Sequence, residues 1–249
     1  MPRNVFITGA SSGLGRGLAL HYAKAGDVVH AAARRETELR ALQAESDNIV
    51  PVVLDVLDTE ALVAAIRAAE EASGGALDLV IANAGIGGPT NGRKLDWRTV
   101  KKILDVNVSA AAVTLAAALP AMVERDRGHV VAMASLAAFR GLPLSAAYSA
   151  SKAALHTFME SLRVDLASTH VRATTIYPGF VKTELTAKHK YKMPMLMELD
   201  DAVRVMTRGL ARGAATIAYP LPMAAGMRTL GALPQFLYEP LAGRLGRKP

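Results

Sequence analysis

Tyr148 and Lys152 stand four residues apart in a segment of strong helical character, which puts both side chains on one face. A phenol with an ordinary pKa of about 10 is a poor base at neutral pH. A neighbouring ammonium favours the phenolate and brings it towards a useful range for proton transfer. Ser135 ends the apolar run that starts at Val130, at the C-terminal end of a predicted buried strand. Open α/β sheets bind their ligands at that edge, where a serine hydroxyl can hold a substrate oxygen beside a tyrosine. Taken alone, a Tyr-x-x-x-Lys pair usually marks a solvated helix face. It gains meaning from the serine and from a glycine-rich turn near the N-terminus.

That turn reads Thr8-Gly9-Ala10-Ser11-Ser12-Gly13-Leu14-Gly15, between the first predicted strand and the first predicted helix. Glycines there permit a tight turn and let backbone amides at a helix N-terminus approach a pyrophosphate. The spacing is G-x3-G-x-G rather than the G-x-G-x-x-G fingerprint. At the end of the second predicted strand the chain reads Ala31-Ala32-Ala33-Arg34-Arg35, without the acid that would hold unmodified ribose hydroxyls. Guanidinium groups suit a 2′-phosphate through charge-assisted, often bidentate hydrogen bonds. Arg34 and Arg35 therefore favour NADP(H) over NAD(H). The competing reading is a solvated arginine pair opening a helix, an end whose dipole disfavours cations.

These groups must be positioned by a regular framework. Short apolar runs at Val5–Thr8, Val28–Ala32, Ile49–Leu54, Leu79–Ala82, Val130–Ala134, Arg172–Ile176 and Thr216–Tyr219 read as strands buried on both faces. Helix-length patterns lie between them, near 13–25, 36–45, 59–73, 96–124, 146–168 and 200–212. The alternation implies right-handed crossovers. The expected fold is α/β: a doubly wound, Rossmann-type, seven-stranded and mainly parallel sheet with helices on both faces. A single domain would span 1–220, with a lid at about 184–199 and a basic, apolar C-terminal extension over 221–249. The 18 residues from Val106 to Val123 carry no charge, the lower edge of a membrane-span pattern. Their many alanines, with Asn107, Ser109, Thr114 and Pro120, fit a buried or interface helix better.

Composition narrows the remaining classes. The 249 residues are 51% hydrophobic and 20% charged, which supports a large core and excludes disorder. There are no cysteines, hence no disulfide or thiolate chemistry, and none of the six histidines is spaced like a zinc site. Met1-Pro2-Arg3 runs directly into a strand-like stretch rather than a long apolar region, so a cytoplasmic location is expected. Arg204, Arg208, Arg212, Arg228, Arg244, Arg247 and Lys248 face Glu239 alone after residue 201, so the net charge of +7 belongs largely to the tail. Phe236 and Tyr238 are the only aromatics near that charge, which argues against a nucleic-acid groove.

Thr8–Gly15, Asp55-Val56, Asn83-Ala84-Gly85, Asn107, Ser135, Tyr148-Ser149-Ala150-Ser151-Lys152 and Pro178-Gly179 follow one another in order. In this set the chain resembles the single-domain branch of the short-chain dehydrogenase/reductase family. The resemblance implies hydride transfer between a nicotinamide and a carbonyl or secondary alcohol. It makes Asn107, Ser135, Tyr148 and Lys152 a catalytic tetrad. Tyr148 would pass the proton and Ser135 would orient the carbonyl. Lys152 would tune Tyr148 and hold the nicotinamide ribose, while Asn107 would kink its helix and support a water-linked proton relay.

Further implied cofactor contacts are the turn residues Gly9, Ser11, Ser12, Gly13, Leu14 and Gly15. Asp55 would take the adenine amino group, with the Val56 backbone beside it. Asn83 and Gly85, with Ala84 between them, would flank the adenosine ribose. Val181 and Thr183, following Pro178 and Gly179, would hold the carboxamide. Each has a plainer reading: Asp55 as a helix cap, Gly85 as a turn, Asn83 as a partner for strand-end amides. The family also implies a homodimer or homotetramer. Two rivals are a non-catalytic dinucleotide-binding sensor and a membrane-surface scaffold on the same fold.

The substrate side is less legible. Met193, Met195, Met197, Leu185, Leu196 and Leu199 follow or flank Lys188, Lys190 and Lys192 in the expected lid. Methionines adapt to irregular apolar ligands, but ordinary core packing would use them equally well. Beyond Pro220, Met223, Met227, Leu230, Leu233, Leu237, Leu241 and Leu245 recur every three or four positions, interrupted by Pro234 and Pro240. The pattern suits an amphipathic membrane-surface element or a segment packed on a partner subunit or the substrate cleft.

Overall fold

The computed structural model describes residues 2–187 and 193–245. Lys188, Lys190, Lys192, Arg247 and Lys248, and the side chains of Arg244 and Leu245, lie outside the described part. Seven strands, β1 (Asn4–Thr8), β2 (Val28–Ala33), β3 (Ile49–Val53), β4 (Leu79–Ala82), β5 (Gly128–Met133), β6 (Val171–Pro178) and β7 (Thr216–Tyr219), form one sheet. Their order is β3-β2-β1-β4-β5-β6-β7, and every neighbouring pair is parallel. The order reverses between β1 and β4, the position at which such sheets open a crevice for ligands.

Strand periodicity sorts the core into two layers. Val5 and Ile7 of β1, Leu79 and Ile81 of β4, and Val131 and Met133 of β5 face one side. There they meet α1 (Gly13–Lys24), α2 (Glu36–Gln43) and α8 (Leu199–Ala211) through Leu18, Leu39, Leu42, Val203 and Met206. Phe6, Val80, Ala82, Val130 and Ala132 face the other side. They pack against α3 (Thr59–Ala72), α5 (Ala110–Glu124) and α6 (Ala146–Asp165) through Leu62, Ile66, Leu115, Met122, Leu155 and Met159. With both faces covered, the strands read as nearly continuous apolar runs.

The long apolar pattern becomes α4 (Trp97–Leu104), one π turn (Asp105–Ser109) and then α5. By length and composition the run Trp97–Glu124 could cross a bilayer, but Ala110, Ala111, Thr114, Leu115, Ala118 and Met122 are buried against the sheet and its helices. It is a core helix. After the short α7 (Glu184–Ala187), the chain crosses back through α8 and β7 and ends in α9 (Leu221–Ala232) and α10 (Gln235–Leu245).

These two tail helices close over the loop that follows β5. Met223 and Met227 pack with Leu136, Phe139 and Tyr177. The Arg140 guanidinium donates to the Gly231 carbonyl at 3.3 Å and lies 4.3 Å from the Tyr238 ring centroid. The Tyr238 hydroxyl donates to the Gly141 carbonyl. Leu221, Phe236, Leu237 and Leu241 remain exposed.

Candidate active site

The glycine turn leaves β1 and enters α1 with Gly9 at φ +69° and Gly13 at φ +54°, conformations that strain any residue with a Cβ. A Cβ at Gly9 would lie 2.8 Å from Ala84 Cα, and one at Gly15 would collide with the Gly9 carbonyl and the Asn83 amide. At these two positions the turn therefore admits backbone alone. Asn83 braces it: its side-chain amide donates to the Thr8 carbonyl at 2.9 Å and the Gly9 carbonyl at 3.2 Å. The Thr8 hydroxyl accepts from the amides of Asn83 and Ala84 at 3.1 Å. The Asn83 side chain is thus a partner for strand-end carbonyls, while the Thr8 hydroxyl takes the amides. Ser12 caps α1 in position only, since its hydroxyl makes no capping bond, and no acid stands in the first turn. Leu14 packs against the buried layer beneath.

Arg34 and Arg35 follow β2 directly and are both exposed. Arg35 donates from Nε and Nη2 to the Ser11 hydroxyl at 3.2 and 3.1 Å, reaching the glycine turn, and from Nη1 to Glu184 at 2.9 Å. Arg34 faces Asp55 at 3.7 Å. Asp55 accepts from the Leu57 amide at 3.1 Å, whereas the cap of α3 is Asp58, which accepts from the Ala61 amide. Asp55 is therefore a turn residue rather than the helix cap. Val56 beside it is half-buried.

The residues expected to react lie at the C-terminal edge of the sheet. Lys152 is 4% exposed, and its ammonium donates to the Met133 carbonyl at 2.7 Å. Burial pushes its pKa down to about 8. The same nitrogen lies 5.8 Å from the centroid of the half-buried Tyr148 ring. Asn107 sits fully buried inside the π turn, a distortion often found at functional sites. It accepts from the Ile86 amide at 2.8 Å and donates to the Ile86 carbonyl and the Ser151 hydroxyl, both at 3.0 Å. Ser151 in turn donates to the Tyr148 carbonyl at 2.7 Å. A Cβ at Gly85 would lie 3.4 Å from Asn107 Oδ1 and 3.5 Å from Lys152 Nζ, which places that exposed glycine over both. Ser135 follows β5 and accepts from the Ala137 amide at 3.2 Å, with its hydroxyl 3.4 Å from the Pro178 carbonyl.

The segment after β6 completes the rim. The Gly179 amide donates to the Tyr219 carbonyl at 2.7 Å, and Val181 is buried and bridged to Met197. Thr183 lies against the glycine turn, its Cβ 3.3 Å from where a Cβ of Gly13 would stand. Met197 packs on the core, whereas Leu185, Met195 and Leu196 are exposed beside it. Core packing accounts for only part of the apolar side chains described in the segment expected to be a lid.

Several participants were not singled out from sequence. Met133 contributes a carbonyl, which no side-chain pattern reveals. Thr90 is buried and accepts from the Ala147 amide at 3.1 Å, anchoring α6 one residue before Tyr148. Ser151 and Glu184 connect site residues whose sequence separation hides the contact. Ser151 alone had a visible clue, its place on the turn between Tyr148 and Lys152.

Comparisons with known proteins agree with this fold. The sequence profile described as short chain dehydrogenase matches residues 3–193. An uncharacterized oxidoreductase of Myxococcus xanthus is 54% identical over 98% of this chain and 97% of its own length. One of Mycobacterium tuberculosis is 34% identical over 93% of this chain and 94% of its own. Among solved structures, a short chain dehydrogenase from Burkholderia cenocepacia in complex with NADP superposes with a TM-score of 0.83 at 26% identity. That match covers 100% of this chain and 98% of the other. An NAD complex from Burkholderia phymatum shares the fold, with a TM-score of 0.83 at 24% identity over 91% of this chain and 92% of its own.

Proposed function

This chain belongs to the short-chain dehydrogenase family, and from that premise we propose that it is an NADP(H)-dependent oxidoreductase acting on an apolar carbonyl compound or the corresponding secondary alcohol. The residues present fit a dinucleotide. At Gly9 and Gly15 the turn leaves no room for a Cβ, and the first amides of α1 receive neither a Ser12 hydroxyl nor an acidic side chain. In this reading the turn holds the pyrophosphate, and Ser11, Arg34 and Arg35 hold the 2′-phosphate. Asp55 and Val56 meet the adenine, Val181 and Thr183 the carboxamide, and Lys152 the nicotinamide ribose. When bound, the nicotinamide supplies or takes up the hydride.

The protein moves the proton. Tyr148 donates its phenolic proton to the carbonyl oxygen during reduction and recovers it in the reverse direction. The Lys152 ammonium, buried beside that ring, stabilises the phenolate left behind. Its bond to the Met133 carbonyl fixes the direction from which the charge acts. The Ser135 hydroxyl orients the substrate oxygen, and Asn107 holds the Ile86 backbone and Ser151 around the pair.

The observation that carries this reading is the buried Lys152 ammonium against the Tyr148 ring. A cofactor-binding sensor has no need of such an arrangement. The exposed Leu185, Met195 and Leu196 on the lid support an apolar substrate. The test is NADPH consumption against a panel of aldehydes, ketones, quinones and steroid-like ketones. Turnover of at least one class is expected. Cofactor binding without turnover across the panel would favour the sensor.

A further inference from the structure

The Arg35 guanidinium is shared between two segments far apart in the chain. Nε and Nη2 serve Ser11 in the glycine turn, while Nη1 meets the Glu184 carboxylate at 2.9 Å. Glu184 opens α7 at the root of the lid, and its place is set locally. The Thr186 hydroxyl accepts from the Thr183 amide at 3.0 Å and donates to the Val181 carbonyl at 2.6 Å, so the turn carrying Glu184 is tied down beside Gly13. Arg34 has a looser partner, Asp55 at 3.7 Å.

We propose that Glu184 discriminates between the two nicotinamide cofactors by competing for Arg35. The inference rests on the NADP(H) reading above. A guanidinium fork accepts a carboxylate or a phosphate in the same planar geometry. A 2′-phosphate binding Arg35 must displace Glu184 from Nη1 or share the guanidinium with it, so the existing ion pair offsets part of what the phosphate gains. NAD(H) brings only ribose hydroxyls there and leaves the ion pair intact. Glu184 therefore lowers the preference for the phosphorylated cofactor that Arg35 creates. The pair is partly exposed, with side chains 44% and 63% accessible, so the effect is modest.

The experiment measures NADPH and NADH dissociation constants by nicotinamide fluorescence on the full-length protein, without substrate. The proteins are wild type, Glu184→Gln, Arg35→Leu and the double variant. Glu184→Gln should tighten NADPH about two- to fivefold, as expected for a partly exposed pair, and leave NADH unchanged. In the double variant the gain should vanish, because the carboxylate acts only through Arg35. Unchanged or weaker NADPH binding in Glu184→Gln, with Arg35→Leu still losing NADPH selectively, would overturn the role of Glu184 alone. Equal losses of NADPH and NADH in Arg35→Leu would overturn the NADP(H) reading itself, and the role of Glu184 with it.

Discussion

Lys152 reaches back from the second turn of α6 to the Met133 carbonyl at the end of β5, at 2.7 Å and out of contact with solvent. An ammonium held there is costly, which is why burial pushes it down to about 8. The cost makes sense for a charge with the proposed role of stabilising the Tyr148 phenolate.

Lys152→Met separates that role from structural support. It removes a buried charge but orphans the Met133 carbonyl, two effects of opposite sign on stability. Thermal unfolding at pH 7 should therefore stay close to wild type while turnover falls about 10²- to 10⁴-fold. The wild-type ammonium is disfavoured in the fold, so its cost is full below pH 8 and disappears as pH rises towards 10.5. The variant should accordingly lose ground to wild type across that window. Wild-type turnover in a folded Lys152→Met variant would contradict the assignment.

The arginine pair after β2 predicts selectivity. Removing both Arg34 and Arg35 takes away charge-assisted bonds worth about 1.5–3 kcal/mol each. NADPH binding should weaken by at least about tenfold at that scale, with NADH binding affected far less. Parallel losses, read by equilibrium titration, would refute the selector role.

Gly15→Ala tests the bare-backbone turn. The added methyl meets the Gly9 carbonyl and the Asn83 amide, backbone and brace together, so the turn must open. Binding of both cofactors should be lost, with a fall in melting temperature. Normal binding by this variant would show that the turn has more slack than its geometry implies.

Acid stability follows from His129. Its Nε2 lies 2.8 Å from the Thr174 hydroxyl, which donates to the Ala214 carbonyl. The hydroxyl must therefore accept from the ring Nε2–H, and burial, which disfavours the charged ring, pushes the His129 pKa down to about 4. The unfolded chain binds this proton near 6.5, so stability is full above that pH and falls as pH drops towards 4. His30, also pushed down by burial, adds in the same direction. Chemical denaturation between pH 7 and 4 should lose on the order of 3 kcal/mol through His129, a slope that His129→Gln should reduce. An unchanged slope in the variant would rule His129 out as its source.

The framework was legible because local pattern and tertiary need coincide. Alternating sides of β1, β4 and β5 both meet apolar helices, so an apolar run could mean little else at that length. Strand ends were less visible: β6 continues to Pro178 because Tyr177 and Pro178 pair with Ala218 and Tyr219, a register set by a neighbour distant in sequence. The helical pattern alone hides the π turn at Asp105–Ser109, and only the family resemblance implied a kink at Asn107, whose side chain there bonds Ile86 and Ser151. Motif spacing brought out Tyr148, Lys152, Ser135 and the glycine turn because their chemistry resides in side-chain type and local backbone. Met133, Thr90 and Glu184 stayed hidden, because a carbonyl, a buried hydroxyl or a surface carboxylate acquires its role only from what the fold places beside it. The tail's periodicity suited an amphipathic surface element or one packed on a partner subunit or the cleft, but the hold of α9 and α10 on Phe139–Gly141 could not be read from it.

The most direct test is NADPH-dependent turnover by Tyr148→Phe beside the wild type, on any substrate the wild type accepts. The substitution keeps the ring and removes only the proton that the mechanism transfers. Turnover should fall about 10²- to 10⁴-fold, with NADPH binding nearly unchanged. A folded Tyr148→Phe protein that turns over at the wild-type rate would contradict the mechanism.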